Sequence, residues 1–224
     1  IVLPLSCGPA PREKAEHLCR FATLWRTTGD FWDDWNDLYQ AFEICHQWEG
    51  VGGPGHWPDA DMLPFGHLAL RSTERGWGGR WTHFTQDEQI ALMTLWCLFR
   101  SPLMVGAELN DNDEFTLNLL TNDEVLALLS ESRHARQVYR EERYNYAGEV
   151  IVWQAENEQG ETYCAVFNCG PKARKLAVQL SSALGLEGAY TGRDLSAHEE
   201  IPVGRALEVE VPSHGARLVK LTKK

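Results

Sequence analysis

The sequence lacks a basic surplus: 21 lysines and arginines stand against 32 aspartates and glutamates, for a formal charge of -11 over 224 residues. No Lys/Arg run interleaves with aromatics, so nothing here would track a phosphate backbone, and nucleic acid is not an expected partner. No apolar stretch reaches the ~20 residues that a membrane span needs. The opening Ile-Val-Leu-Pro-Leu-Ser-Cys has no basic flank and is too short for a leader, so it reads as a buried strand and no membrane partner is expected. CxxC pairs are missing too. The cysteines are Cys7, Cys19, Cys45, Cys97, Cys164 and Cys169, and the first four sit in apolar strand or helix patterns, where a thiol behaves as a small hydrophobe. A reducing, cytoplasmic setting is expected, although residue identity alone leaves a Cys164–Cys169 bridge open. Internal repeats and low-complexity segments are absent, and neither a cofactor nor a metal is expected.

What is present is a chain with 43% hydrophobic residues, enough to bury a core in one or two domains. Residues 1–6 suit a doubly buried strand. Ala15, Leu18, Cys19, Ala22 and Trp25 recur at i, i+3, i+4, i+7 and predict a helix over 13–26. Leu38, Ala41, Phe42, Cys45 and Trp48 repeat that spacing and predict a second. Residues 50–81 are rich in glycine and read as irregular, and irregular segments often carry function. Thr85 with Glu88 forms a capping box that opens a helix to about 99. Residues 103–109 then read as a strand, and Thr121 with Glu124 opens another helix. Strands alternating with helices point to a parallel α/β layer. Beyond 132–143 the pattern changes to short strands at 149–154, 162–168, 175–180 and 207–211, separated by turn residues, which is an antiparallel β domain.

Two segments mix carboxylates with indoles: residues 25–35, Trp-Arg-Thr-Thr-Gly-Asp-Phe-Trp-Asp-Asp-Trp, and residues 55–63, Gly-His-Trp-Pro-Asp-Ala-Asp-Met-Leu. Eight of the nine tryptophans lie within residues 25–96, so the aromatic enrichment belongs to the α/β part. Sugar sites use this combination, because carboxylates accept hydrogen bonds from hydroxyls and move protons while indole faces cover pyranose rings. Plainer readings fit each piece alone. Asp33, Asp34 and Asp37 can simply open a helix at its positive end. Arg26 and Asp30 can be an i,i+4 ion pair, and Asp59 and Asp61 can cap a turn.

Together the motifs resemble glycoside hydrolase family 27, the α-galactosidases and α-N-acetylgalactosaminidases. Arg26-x-x-x-Asp30 is similar to the family's Arg-x-x-x-Asp after the sixth barrel strand. His56-Trp-Pro-Asp-Ala-Asp-Met-Leu63 resembles Gly-x-Trp-Asn-Asp-Pro-Asp-Met-Leu after the seventh, with Pro58 and Ala60 substituted. Leu95-Trp96 and Ser101-Pro102-Leu103-Met104 resemble the eighth strand and its approach. The resemblance implies a fold of α/β plus all-β class: the second half of a (β/α)8 TIM barrel over residues 1–133, followed by a C-terminal antiparallel β-sandwich over 134–224.

It further implies a retaining glycosidase acting on an α-linked galactose or N-acetylgalactosamine glycoside. Asp30 would be the general acid/base, and Arg26 and Asp61 would orient sugar hydroxyls. Asp59, Met62, Cys7, Gly8 and Pro11 would complete the substrate-binding set. By the same alignment residues 1–7 resemble the fifth strand, so the first four strands, with the Lys-x-Asp that supplies the nucleophile, are expected to be missing from this chain. Gly8 stands where α-galactosidases place Glu after Ser-Cys, which leaves room for a bulkier 2-substituent and removes a hydrogen-bond acceptor. The competing expectation is a non-catalytic carbohydrate-binding pseudoenzyme or fragment. A homo-oligomer or a complementary N-terminal half is the expected protein partner.

Overall fold

The opening apolar run finds its partner in Leu24-Trp25-Arg26. In the computed structural model, which describes residues 1–6, 8–72, 78–141 and 149–224, β1 (Pro4–Leu5) pairs in parallel with β2 (Leu24–Arg26), and β2 pairs in parallel with β3 (Trp57–Asp59). The predicted helix over 13–26 is therefore shorter than expected. A 3-10 turn at Arg12–Lys14 leads into α1 (Ala15–Phe21), and Ala22 is already extended. Trp25 fits the helical spacing but is fully buried in β2, and the Thr23 carbonyl accepts from Trp57 N–H at 2.9 Å. Inter-strand hydrogen bonds take the backbone groups that a longer helix would have used.

After β2, Asp34 caps α2 (Trp35–Gln47) by accepting from Asn36 N–H at 2.7 Å, and Leu38, Ala41, Phe42 and Cys45 are buried on one face as their spacing requires. Both strand pairs of this layer are parallel, and a separate two-stranded sheet follows. A small hairpin of β4 (His67–Leu68) and β5 (Arg80–Trp81) is antiparallel, and part of the expected irregular segment, 73–77, lies outside the described residues. The Thr85–Glu88 capping box opens α3 (Gln86–Phe99) with both reciprocal bonds formed, at 3.2 and 2.8 Å. The strand expected at 103–109 is reduced to one parallel bridge between Leu63 and Val105. The next donor on that side, Phe65 N–H, turns back to the Leu63 carbonyl at 3.0 Å instead of extending the ladder. Then comes α4 (Glu114–Leu120), capped by Asp113.

The chain divides into two compact units, Ile1–Thr121 and Asn122–Lys224. In the second, α5 (Asp123–Leu126) is capped by Asn122 rather than by the expected Thr121, whose hydroxyl instead turns back to the Leu117 carbonyl at 2.8 Å. After α6 (Leu128–Glu131) come β6 (Arg133–Arg140), β7 (Val150–Glu156), β8 (Thr162–Asn168), β9 (Arg174–Gln179), α7 (Leu180–Leu184), β10 (Tyr190–Asp194), β11 (Glu199–Ile201), β12 (Ala206–Val211) and β13 (Ala216–Lys223). Six strands form one antiparallel sheet in the order β11-β10-β13-β8-β7-β6, and β12 pairs with β9 in a second. Val152, Cys164, Val166 and Val219 of the large sheet pack with Val178, Leu207 and Val211 of the small one, so the core lies between two sheets. Among the described residues no helix is long and apolar enough to cross a membrane.

Candidate active site

The carboxyl ends of β1, β2 and β3 deliver three loops to one place. Arg26 at the end of β2 and Asp59 at the end of β3 are register partners. Thr27 then locks the two loops together, donating to the Asp59 carbonyl from its N–H at 2.9 Å and from its hydroxyl at 3.1 Å. The loop after β1 is tied to the same strand end by Ala10 N–H, which donates to the Arg26 carbonyl at 2.8 Å. In that loop Gly8 has φ +96°, and a Cβ there would meet no atom within 4 Å, so the space beside it is open. Pro11 precedes the 3-10 turn. Cys7 lies outside the described residues.

One guanidinium organises the centre. Arg26 Nη2 lies 2.6 Å from Asp61 Oδ2 and 3.7 Å from Asp30 Oδ1, and it also donates to the Gly29 carbonyl. Asp61 Oδ2 accepts a second bond from Phe31 N–H at 2.7 Å. Arg26 and Asp61 are largely shielded, whereas the Asp30 side chain is 91% exposed. A fixed positive charge therefore holds one carboxylate rigidly and keeps a second, open carboxyl beside it. That arrangement can orient hydroxyls and exchange a proton with a bound molecule.

Asp59 sits differently from the other acids. It is 2% exposed and lies beneath Asp61, accepting from Asp61 N–H at 2.8 Å. Burial pushes its pKa upward, against the pull of the Asp61 N–H and of Arg26, and the net shift is up. Met62 is half-buried over Gly106, where an added Cβ would collide with its sulfur. Asp33, in the same acidic run, is also buried, but it accepts a two-pronged bond from Arg80 and a 2.6 Å bond from His83 N–H. Burial opposes its ionisation, but Arg80 and the His83 N–H outweigh that, and its pKa is lowered.

Thus the structure brings together Arg26, Asp30, Asp59 and Asp61, with Met62 adjoining and the Gly8–Pro11 loop tied in through Ala10. Supporting groups escaped the sequence reading: Trp96 Nε1 donates to the Asp61 carbonyl at 2.9 Å, Ser101 Oγ accepts from Ala60 N–H, and Arg80 pins Asp33. Trp96 and Ser101 belong to the Leu-Trp and Ser-Pro motifs, which marked the residues but not these contacts. Many indoles proved structural, for Trp25, Trp48 and Trp96 are buried, while Trp81 is 45% exposed. Among the described residues no group of three or more His, Cys, Asp or Glu side chains is gathered where a metal could sit.

Comparison with known proteins decides the family. Residues 2–131 match the family model described as alpha galactosidase A, and residues 147–221 match the alpha galactosidase C-terminal beta sandwich domain. The chain belongs to the alpha-galactosidase family, glycoside hydrolase family 27. It thus joins an alpha-galactosidase catalytic domain to a C-terminal β-sandwich, and its family is one of glycosidases. Relatives in the alpha-galactosidase family include the Oryza sativa alpha-galactosidase, 26% identical over 205 residues covering 91% of this chain and 45% of that protein. Alpha-galactosidase D of Emericella nidulans is 28% identical, over 89% of this chain and 28% of its own length. Among solved structures, a family 27 β-L-arabinopyranosidase from Geobacillus stearothermophilus is 47% identical with a TM-score of 0.91, over 99% of this chain and 50% of that one. A Bacillus halodurans protein assigned as an alpha-N-acetylgalactosaminidase is 40% identical with a TM-score of 0.77, over 88% and 45%. The chain spans less than half the length of these two alpha-galactosidase relatives.

Proposed function

We propose that the protein carrying this chain is a retaining glycosidase for glycones of α-D-galactopyranose configuration. The observation that carries the reading is the Arg26 guanidinium shared by shielded Asp61 and exposed Asp30 at the carboxyl ends of parallel strands, the end where barrel enzymes build their sites. Asp30 acts as general acid, protonating the glycosidic oxygen as the bond to the anomeric carbon breaks, and then as base toward the incoming water. Arg26 and Asp61 hold glycone hydroxyls, Met62 and Pro11 line the pocket, and Gly8 leaves room for the 2-substituent. Retention also needs a carboxylate nucleophile ~5–5.5 Å from the acid/base. We assign that group to a segment outside these residues.

Residues 1–133 then form the second half of a (β/α)8 barrel, and 134–224 its sandwich. Support comes from β1, whose other edge has no strand among the described residues, while Ile1, Val2 and Leu3 beside it are exposed. The glycone class covers three sugars. β-L-Arabinopyranose has the ring stereochemistry of α-D-galactopyranose without the hydroxymethyl group at C5, so the neighbour names point to one ring configuration, and open space beside Gly8 also accommodates a 2-acetamido group.

Product stereochemistry tests the reading. Proton NMR in the first minutes of turnover by the full-length protein should show the anomeric configuration retained, and an inverted first product refutes the mechanism. Asp30→Asn should lower the rate about 10²- to 10⁴-fold for poor leaving groups. It should matter far less for an activated aryl glycoside, and equal losses on both would remove Asp30 from its role.

A further inference from the structure

Asp61 has a backbone that its residue type resists. Its φ is +82°, in the left-handed region, which a residue other than glycine holds only where the surroundings over-determine it. The surroundings are specific. Its N–H donates to Asp59 Oδ1 at 2.8 Å, its carbonyl accepts from Trp96 Nε1 at 2.9 Å, and its carboxylate accepts from Phe31 N–H and Arg26. Asp59 is held in turn, because its carbonyl takes both Thr27 bonds and the next N–H, of Ala60, goes to Ser101.

With Asp59 2% exposed, its carboxyl has no open path to a sugar, yet it caps the turn that sets the direction of Asp61. Asp61 sets Arg26 and the Phe31 amide, and Phe31 follows Asp30 directly in the chain. A chain of short contacts thus runs from a buried acid to the acid/base loop.

We infer that Asp59 is a positioning residue: by accepting the Asp61 N–H it imposes the left-handed turn that aims Asp61 at Arg26, and it touches no part of the substrate. The inference rests on the functional reading above and adds a role which that reading does not contain. A carboxylate that binds sugar must keep its charge and an exposed oxygen, whereas one that caps a turn needs only an acceptor in the same place.

The test uses the full-length protein and 4-nitrophenyl α-D-galactopyranoside or β-L-arabinopyranoside, whichever is turned over. Asp59→Asn retains Oδ1 and should keep KM within about threefold of the parent. Asp59→Ala should raise KM about tenfold or more, because it removes the bond that fixes the turn. In an Asp61→Ala background the further change Asp59→Ala should leave KM unmoved, because a residue acting only through Asp61 has nothing left to position. Additive losses overturn the proposal, as does an Asp59→Asn variant as impaired as Asp61→Asn. That second outcome is readable even if Asp59→Ala fails to fold. If Asp30→Asn and Asp61→Ala leave turnover intact, the reading of the site falls and this proposal with it. If they impair it markedly while Asp59→Ala does not change KM, only the role of Asp59 falls.

Discussion

Replacing Asp33 by Asn should destabilise the protein strongly while impairing turnover less than Asp30→Asn does. Asp33 collects two N–H donors from Arg80 and one from His83, and its side chain is 3% exposed. Hydrogen bonds to charged groups contribute about 1.5–3 kcal/mol each, but both charges left water to form them, so the contributions do not simply add. Asn keeps one acceptor and turns an NH2 group against the guanidinium. Removing one partner of a buried pair costs roughly 3–5 kcal/mol. Arg80 is 19% exposed, so water recovers part of that, leaving about 2–4 kcal/mol. For a protein in this size range the melting temperature should fall by about 5–15 °C.

Thermal unfolding of the parent, Asp33→Asn, Arg80→Met and the double variant measures this. The double variant should lose less than the sum of the singles, with a coupling of about 2 kcal/mol. The pH dependence has a definite sign. A carboxylate whose pKa is lowered on folding stabilises the fold above its unfolded value of 3.8, and the contribution fades as pH drops through the lower folded value. The gap between the parent and Asp33→Asn should therefore be full at pH 7 and shrink only in acid. A melting temperature within a degree or two of the parent, or strictly additive losses, would refute the reasoning.

Three further outcomes are expected. The 224 residues expressed alone should not hydrolyse an aryl α-galactoside above background, and their exposed Ile1, Val2, Leu3 and Phe21 should drive association seen in a solution mass measurement; turnover by a monodisperse monomer that Asp30→Asn abolishes would place the nucleophile inside this chain. Gly52→Ala should cost at least ~1 kcal/mol more in urea unfolding than Gly50→Ala. Both glycines have positive φ, but only at Gly52 would a Cβ come within 2.6 Å of the His56 carbonyl and 2.7 Å of Pro58, and equal costs would contradict this. In the sandwich, Glu124 is drawn down to a pKa of about 2, chiefly by Arg193, whose guanidinium grips it at two points. Glu124→Gln should thus lose stability at pH 7, with the deficit closing as pH falls from 4.5 toward 2, and a deficit unchanged across that range would show that the ion pair contributes nothing.

Long, locally determined features were legible in the sequence and short, non-local ones were not. The Thr85–Glu88 capping box and the buried stripe Leu38, Ala41, Phe42, Cys45 depend on neighbours three or four residues away, so spacing alone reveals them. The strands β1, β2 and β3 hold two or three residues each, too few to display a period, and Trp25 completed a false helical pattern. β6, with Arg133, Arg136 and Arg140, is polar because it forms one edge of its sheet, and polar edges do not announce themselves. At the site, Arg26, Asp30 and Asp61 were marked by motif. Nothing in the order of residues distinguished the buried Asp59 from the exposed Asp30 or linked Asp33 to Arg80, because such contrasts arise only when distant segments meet, 47 residues apart in the second case.

The strand order of the large sheet governs when the second unit can be completed. Among the described strands β13 comes last in sequence, yet it is inserted between β10 and β8, and no other described strand joins the β10–β11 pair to the β6–β7–β8 meander. Until residues 216–223 have left the ribosome, the nascent sandwich is two separate ribbons, each with an unpaired inner edge. Such a protein commits late. Its earlier strands wait exposed during translation, and a truncation before residue 216 leaves two pieces with no strand to join them rather than a sheet trimmed at its margin.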